Sequence, residues 1–434
     1  MEEIVLNSGD TAWILASTAL VLLMTPGLAF FYGGMVRTKS VLNMMMMSVI
    51  TIAIVSVLWV IYGFELAFGY KGESAWYGNL SFSGLGSQVN DFTNNGGVYP
   101  IPVLVFAAFQ LMFAIITPAL ISGAVADRAK FSAWAVFVAI WTTVVYFPVA
   151  HWVFAFGNKV GDTVTGTGFL AGKGVQDFAG GTAVHINAGA AALALAIILG
   201  KRHGWRKDPM RPHSLPLVML GAALLWFGWF GFNAGSSLAA NGIAGLAFMN
   251  TQVATAGAII GWLLVEKLRN GHATSLGAAS GAVAGLVAIT PACAFVAPWA
   301  AVVIGFVAGI LCSLAVGLKY IFKIDDSLDV VGVHLVGGIW GSLSIGIFGS
   351  SAVNSIGLDG IAYGGGTALM VKQLLGVGLV FAYSFVATLI IGFAIEKTMG
   401  FRIKRESELE GIDLVEHAES AYEFAGTTRG GSSL

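Results

Sequence analysis

Charge is scarce in this 434-residue chain, where Asp, Glu, Lys and Arg make up only 10% of the residues and the net charge is −1. A soluble domain carries about 25% charged residues, so the composition excludes an ordinary soluble protein. Without a basic excess there is also no electrostatic basis for nucleic-acid binding. Apolar residues reach 57%, and the 58 glycines suit closely packed membrane helices. The sequence therefore predicts a multi-pass protein of the lipid bilayer.

The usual signatures of an enzyme are missing as well. The sequence has no Walker motif, no GxGxxG between a predicted strand and helix, and no triad motif. Its two cysteines, Cys293 and Cys312, fall in apolar helical segments and are interpreted as small buried hydrophobes, not as a disulfide or metal pair. No third ligand accompanies the histidines at metal-site spacing. We expect neither an enzyme nor a resident metal or cofactor.

The apolar segments predict an all-α membrane protein with eleven transmembrane helices, each about as long as a bilayer requires. Lys and Arg concentrate in the loops after spans one, three, five, seven, nine and eleven, whereas the loops after spans six and eight have none. The positive-inside rule then places the N-terminus outside and the C-terminus in the cytoplasm. The start Met1-Glu2-Glu3 is acidic, unlike a signal peptide, so the first span is expected to remain. The expected spans are 11–34, 41–69, 100–124, 131–157, 179–200, 215–238, 245–268, 274–292, 297–319, 331–351 and 368–398.

Two histidines recur in matching contexts within these spans. His185 lies eight residues after Asp177, and His334 lies eight residues after Asp326. The match predicts two five-helix repeats, about 11–200 and 215–351, followed by a last helix at about 368–398. Because five is odd, the second repeat is inverted, which predicts a polar site near the membrane midplane. Together they form a transmembrane domain over 1–400, with a tail at 401–434.

Each of these polar residues has a functional and a structural interpretation. An ionisable group inside a bilayer usually marks a transport path, and a histidine pair can shuttle protons. The alternative is that each histidine only joins helices through hydrogen bonds. Asp177 and Asp326 fall near span ends, where capping of a helix N-terminus is the favoured role. Metal ligation is not expected for any of them.

Aromatic residues are too frequent to be informative singly, since the chain has 29 phenylalanines. Phe109 and Phe113 are four residues apart, on one helix face. Phe232 lies among small residues, with Ser236 four residues later. Core packing is the ordinary interpretation. Beside buried histidines, however, aromatic faces would suit a small cation through cation–π attraction.

Four separated motifs resemble the signatures of the ammonium transporter family (Amt/MEP/Rh), and its bacterial and archaeal Amt branch best. The resemblance extends from about Gly9 to about Phe424. The motifs are Phe113-Ala-Ile-Ile-Thr117, Asp177-Phe-Ala-Gly-Gly-Thr-Ala-Val-His185-Ile-Asn, Gly228-Trp-Phe-Gly-Phe-Asn-Ala-Gly-Ser236 and Asp329-Val-Val-Gly-Val-His334.

The resemblance implies eleven helices in an inverted arrangement and a homotrimer with one pore in each subunit. Position by position, it implies a role for each candidate residue. These roles are twin pore histidines (His185, His334), a stacked gate (Phe113, Phe232), an external ammonium site (Phe109, Ser236, with Asp177 behind it) and a cytoplasmic-side acid (Asp326).

One position departs from the family pattern. The external-site tryptophan should fall at residue 154, where this chain has Phe154. Trp152 is two residues away, and two residues turn a helix by about 200°, so its ring should face elsewhere. Phenylalanine lacks the indole N–H and has a weaker cation–π face. The departure puts external recruitment in doubt.

The tail also resembles the family. Residues 410–417 and 420–422 look like the cytoplasmic segment that packs under the trimer and, in many bacteria, receives a PII-type regulator. We expect residues 402–424 to be ordered beside the basic loop 201–211, and the residues after about Ala425 to be disordered.

The leading hypothesis is an electrogenic ammonium transporter of the cell membrane. Ammonium would lose its proton near the gate, pass as ammonia beside the histidines, and regain the proton inside. One alternative is an ammonium sensor that signals through the tail; the short tail disfavours it, whereas Phe154 slightly favours it. The other alternative is a passive ammonia channel of the Rh type.

Overall fold

A computed structural model of the chain describes residues 6–69, 74–79, 84–86, 101–160, 163–208 and 210–422. Within these residues, ten helices are long and apolar enough to cross a membrane. The all-helical membrane architecture predicted from composition is thus supported. The helices are α1 (Ser8–Met35), α2 (Val41–Leu58), α3 (Phe64–Phe68), α4 (Val103–Ile121), α5 (Phe131–Trp141), α6 (Phe147–Phe154), α7 (Phe169–Gly172), α8 (Asn187–Leu199), α9 (Leu215–Gly235), α10 (Gly242–Asn270), α11 (Ser275–Ile289), α12 (Pro298–Ala315), α13 (Leu318–Phe322), α14 (Val336–Phe348), α15 (Ala368–Thr398), α16 (Arg405–Glu410) and α17 (Ile412–His417).

Wide π-helical turns join or extend several of these helices. They span Trp59–Gly63, Thr142–Tyr146, Gly181–Ile186 and Val331–Leu335. Such turns are rare and cluster at functional sites. Short 3₁₀ turns cover Ser122–Val125 and Ile361–Tyr363.

The eighth predicted span, 274–292, is shorter in the structure than expected. Its helix α11 covers Ser275–Ile289, which is 15 residues. A helix of that length rises only about 22 Å, less than the roughly 30 Å hydrocarbon core of a bilayer. Buried turns from Thr290 to Val296 follow this helix before α12 begins at Pro298.

The fold is not purely helical, and the predicted span 131–157 extends too far. The helix α6 ends at Phe154, and a two-stranded antiparallel hairpin follows, with β1 at Phe156–Val160 and β2 at Thr163–Thr167. The alternation Thr163-Val164-Thr165 is typical of a strand because β-branched residues fit a pleated surface. The end of the bundle that carries this hairpin is called the hairpin face below.

Small residues allow the long helices to approach closely. A Cβ atom at Gly305 of α12 would lie 1.9 Å from the carbonyl oxygen of Ala254 on α10. A Cβ atom at Gly221 of α9 would lie 2.2 Å from the backbone nitrogen of Phe31 on α1. These glycines therefore set the α10–α12 and α1–α9 contacts, as small residues do in membrane helix packing.

The opposite end, the tail face, carries helices α16 and α17. Asp413 of α17 accepts hydrogen bonds from the backbone N–H groups of Leu42 and Asn43 at 3.0 and 2.8 Å. Glu408 of α16 accepts one from the N–H of His203 at 2.6 Å. The described tail is thus ordered against this face beside the loop 201–211, as expected. The predicted disorder after Ala425 falls outside the described residues.

Charged residues behind the tail form a buried network. Arg202 donates two hydrogen bonds to the Asp325 carboxylate at 2.9 Å, and a third to Asp127 at 3.2 Å. Burial alone would raise the pKa of Asp325, but the hydrogen bonds from Arg202 keep that pKa below its ordinary value. Buried charges need such pairing, because an unpaired one is strongly destabilising. The network joins the loops before α5, after α8 and after α13.

Candidate functional site

Both candidate histidines lie on π-helical turns at the start of membrane helices. His185 belongs to the turn Gly181–Ile186, which continues into α8. His334 belongs to the turn Val331–Leu335, which continues into α14. The wider turn changes the direction in which a side chain leaves the helix. The repeated sequence spacing therefore corresponds to a repeated local structure.

Asp177 caps the turn that carries His185. One carboxylate oxygen accepts hydrogen bonds from the N–H groups of Gly180 and Gly181 at 2.8 and 2.7 Å. The other accepts from the N–H groups of Thr182 and Ala183 at 2.7 and 3.3 Å, and from the Thr182 hydroxyl. An N-terminus has free N–H groups that a carboxylate satisfies well. The capping interpretation of Asp177 is confirmed.

Asp326 has the same place in the second half of the chain. Its carboxylate accepts hydrogen bonds from the N–H groups of Val330 and Val331 at 3.1 and 2.8 Å, at the start of the turn that carries His334. Burial, reinforced by the nearby Asp329, raises the pKa of Asp326 to about 6. It lies toward the tail face, the end predicted to be cytoplasmic.

The two caps bring the imidazoles together. The Nδ1 atoms of His185 and His334 are 3.2 Å apart, and the ring centroids are 5.3 Å apart. Because both atoms are ring nitrogens, one must donate a proton and the other must accept it. Both side chains are almost fully buried. The Nε2 atom of His185 has no hydrogen-bond partner within the described residues.

A column of aromatic rings leads from the hairpin face to this pair. Phe109 meets Phe113 at 5.0 Å between ring centroids, and Phe113 stacks on Phe232 at 4.2 Å with an interplanar angle of 29°. Phe232 in turn lies 6.1 Å from the His185 ring. All three phenylalanines are at most 1% exposed. The structure therefore brings Phe109, Phe113, Phe232 and both histidines into one continuous row.

An apolar cavity adjoins this row. It is narrow, and its wall includes Phe232, His185, His334 and Leu28. The two imidazole edges are the titratable groups that line it. Such a space desolvates whatever enters it, which is costly for an ion without a compensating partner.

The remaining external-site candidates are less tightly assembled. The Ser236 hydroxyl donates to the carbonyl of Phe232 at 2.8 Å, so its oxygen lone pairs remain free to accept. Phe154 ends α6 and is 7% exposed. Among the described ring contacts, none joins Phe154 to Phe109. The indole N–H of Trp152 donates to the Trp76 carbonyl at 2.9 Å.

Sequence reasoning missed Trp229. Its ring stacks on His185 at 5.4 Å with an interplanar angle of 20°, and its indole N–H donates to the Thr290 hydroxyl at 2.8 Å. The signal was available, because Trp229 precedes Phe232 by three residues and so shares its helix face. No cluster of three or more His, Cys, Asp or Glu suited to a metal occurs among the described residues.

Comparison with known proteins agrees with this geometry. A family model described as Ammonium Transporter Family matches residues 12–422. The chain belongs to this family. It is therefore a membrane transporter and not an enzyme, and family membership supports ammonium transport as its function.

Known relatives align with nearly the whole chain. The ammonium transporter of Mycobacterium tuberculosis is 55% identical over 437 residues, covering 96% of this chain and 91% of the relative. The crystal structure of Saccharomyces cerevisiae Mep2 matches with a TM-score of 0.82 at 34% identity, covering 92% of this chain and 91% of the other. A structure named Sensor Amt Protein matches with a TM-score of 0.83 at 29% identity, covering 94% and 98%.

Proposed function

We propose that the protein conducts ammonium through the aromatic and imidazole column, separating the proton from ammonia on the way. Ammonium would be deprotonated near Phe113 and Phe232, and ammonia would pass beside His185 and His334. The observation that carries the proposal is the 3.2 Å Nδ1–Nδ1 contact at the wall of an apolar cavity.

Selectivity follows from desolvation. An apolar cavity removes water from a cation without replacing it, and this disfavours the charged form of any amine. Ammonium can respond by releasing a proton and continuing as a small neutral molecule. Potassium has no proton to release, so it would pay the full desolvation cost. The cavity beside Phe232 thus favours ammonia over metal cations of similar size.

The imidazole pair supplies a polar edge inside this apolar space. When one Nδ1 donates to the other, the remaining ring nitrogens differ: one is a donor and the other an acceptor. Ammonia can therefore find either partner at the histidine edges. The same asymmetry lets a proton move along the pair: one Nε2 accepts a proton, the shared Nδ1 proton shifts to the other ring, and the second Nε2 releases its proton.

Recruitment on the hairpin face is assigned to Phe109, Phe154, Ser236 and Asp177. The Ser236 hydroxyl oxygen can accept a hydrogen bond from ammonium, and the ring of Phe109 offers a cation–π surface. The Asp177 charge is turned toward backbone N–H groups, so it acts through the turn that it caps. Asp326 acts in the same way on the opposite side.

The proposal also includes the arrangement of the membrane crossings, the assembly and the regulatory partner. Eleven crossings in two inverted repeats are proposed from the two matched capped turns. An outside N-terminus and a cytoplasmic tail are proposed from the Lys and Arg in alternate loops. A location in the cell membrane is supported by exposed apolar side chains such as Phe227 and Trp299, which are 57% and 55% exposed. The homotrimer is proposed from the family resemblance. The ordered tail gives a PII-type regulator a surface to bind.

A sensor is the second candidate, because the chain resembles the Sensor Amt Protein at a TM-score of 0.83. The deciding experiment is current across a planar bilayer that holds the purified protein, with and without an ammonium gradient. A selective, saturable ammonium current supports the transporter. If ammonium binds but carries neither current nor ammonia flux, the sensor is favoured; ammonia flux without current identifies the passive channel.

A further inference from the structure

Ser17 of α1 is fully buried, and its hydroxyl has no hydrogen-bond partner among the described residues. The neighbouring Thr18 shows the usual alternative, because its hydroxyl donates to the carbonyl of Ile14, four residues earlier, at 2.7 Å. A buried hydroxyl without a partner costs free energy, so such groups are normally satisfied by protein, by water or by a ligand. The hydroxyl of Ser17 is therefore free to bind a ligand.

Ser17 lies on the side of α1 that lines the cavity beside the two histidines. Met24, Leu28 and Phe31 of the same helix belong to the cavity wall. They follow Ser17 by 7, 11 and 14 positions, and these separations return to nearly the same helix face at 3.6 residues per turn. Ser17 therefore continues this stripe about two turns before Met24.

Gly235 at the end of α9 brings Ser17 close to Phe109, the outer ring of the aromatic row. A Cβ atom at Gly235 would lie 2.8 Å from the hydroxyl oxygen of Ser17 and 2.8 Å from the Cε2 atom of Phe109. The next residue is Ser236, whose hydroxyl oxygen can still accept a hydrogen bond. One hydroxyl from α1 and one from the end of α9 thus lie beside the outer end of the row.

We propose that the Ser17 hydroxyl is a ligand for ammonium at the entrance of the column, together with Ser236 and the ring of Phe109. The inference rests on the proposed function and adds a residue of α1 to its recruitment site. Ammonium carries only N–H donors, so it needs oxygen acceptors where its water is removed. The Ser17 oxygen has its lone pairs free for this purpose. A further oxygen ligand also offsets the weaker cation–π face of Phe154.

The test is the dependence of current on ammonium concentration, measured across a planar bilayer that holds the full-length protein. Ser17→Ala removes the hydroxyl, and Ser17→Cys replaces it with a thiol that is a weak acceptor. We expect both variants to raise the half-saturation concentration by about tenfold, the effect of losing a hydrogen bond to a charged group. The maximal current should change much less, because the contact is made on entry.

Ser48→Ala is the matched control. Ser48 of α2 is also buried, with a hydroxyl that lacks a partner within the described part of the chain. None of the described residues in the cavity wall belongs to α2. The control should therefore keep the half-saturation concentration of the parent protein, and melting curves establish that every variant is folded.

Two current measurements would overturn the proposal. One is an unchanged half-saturation concentration in both Ser17 variants, and the other is an equal rise in Ser48→Ala. A rise in Ser17→Ala with parent-like behaviour of Ser17→Cys would also overturn it, because side-chain volume would then be the cause and Ser17 would only pack against Gly235.

Thermal stabilisation by ammonium chloride, compared with sodium chloride, separates this proposal from transport itself, because a ligand that binds the folded state raises the melting temperature. If the parent protein is stabilised but carries no current, transport fails, and weaker stabilisation of Ser17→Ala still supports the ligand role. Equal stabilisation of parent and variant overturns that role. A parent protein with neither current nor stabilisation by ammonium would contradict both proposals.

Discussion

The two imidazoles are the smallest unit on which the transport proposal depends. Replacing His185 or His334 by alanine removes one side of the 3.2 Å contact and leaves the other imidazole without its partner. We expect His185→Ala and His334→Ala each to abolish selective ammonium current. Current in a planar bilayer, measured with ammonium and with potassium, checks this.

The control for that pair is His272→Ala, because His272 is exposed in the loop after α10. It should conduct like the parent protein. If both pore variants also kept the parent's current and ammonium/potassium selectivity, the histidines would only join helices.

Asp177 can be tested through its hydrogen bonds. Both carboxylate oxygens of Asp177 accept hydrogen bonds from backbone N–H groups. In Asp177→Asn one of these oxygens becomes an NH₂ group, which cannot accept and would face N–H donors. Asp177→Ala would remove both acceptors. Hydrogen bonds to a charged group are worth roughly 1.5–3 kcal/mol. We expect both variants to lose about 2 kcal/mol of stability and to carry less current, as measured by melting curves and flux. A fully stable asparagine variant with lost flux would instead mean that transport needs the negative charge itself.

Phe154 tests whether residue 154 belongs to the external site. If it does, Phe154→Trp provides a stronger cation–π surface and should tighten apparent ammonium affinity by about 0.5–2 kcal/mol. Titration of the flux against ammonium gives the half-saturation concentration for both proteins. An unchanged value in a folded variant would remove residue 154 from the site.

At the scale of helices, small residues determine which elements touch. Gly305→Ala would place a methyl group 1.9 Å from the Ala254 carbonyl, so α12 must move away from α10. We expect a loss of about 1–3 kcal/mol, the usual effect of overpacking. Gly378→Ala is the matched control, because a Cβ atom on this α15 residue meets nothing within 4 Å. Melting temperatures of the two variants, measured in one detergent, provide the comparison. Equal values would mean that α12 can move away from α10 at no cost in stability.

The sequence predicted helices where apolar runs were long, and it failed where the backbone departs from a regular helix. Nothing in the spacing of Asp177 and His185 reveals that a π-helical turn carries the histidine, because the turn is fixed by its cap and by tertiary packing. The hairpin after Phe154 was missed because apolar residues extend past the helix end. The row from Phe109 to His334 was assigned only through resemblance to a family, since aromatic residues are everywhere in this chain.

At the scale of the whole molecule, carboxylates of the tail cap the N-termini of helices that begin on the tail face. Ser40, the residue before α2, makes no side-chain cap, and Asp413 of α17 supplies one from the other end of the sequence. Glu416 accepts likewise from the N–H of Phe131, the first residue of α5, at 3.0 Å. The Asp413 side chain is buried in this contact, and burial raises the pKa of its carboxyl. The sequence indicated an ordered tail, but the partners of its acids required coordinates.

Removal of everything after Arg405 should therefore change both stability and transport. The truncation deletes the two caps and the Glu408 contact with His203, and each lost cap costs about 0.5–2 kcal/mol. We expect a lower melting temperature and an altered ammonium flux, because α2 and α5 then begin with unsatisfied N–H groups.

Deletion of residues 426–434 is the control and should change neither the melting temperature nor the flux. The double variant Asp413→Ala/Glu416→Ala should reproduce part of the effect with the chain length intact. If the full chain and the protein truncated after Arg405 had the same ammonium flux and melting temperature, the tail would neither stabilise these helices nor regulate transport.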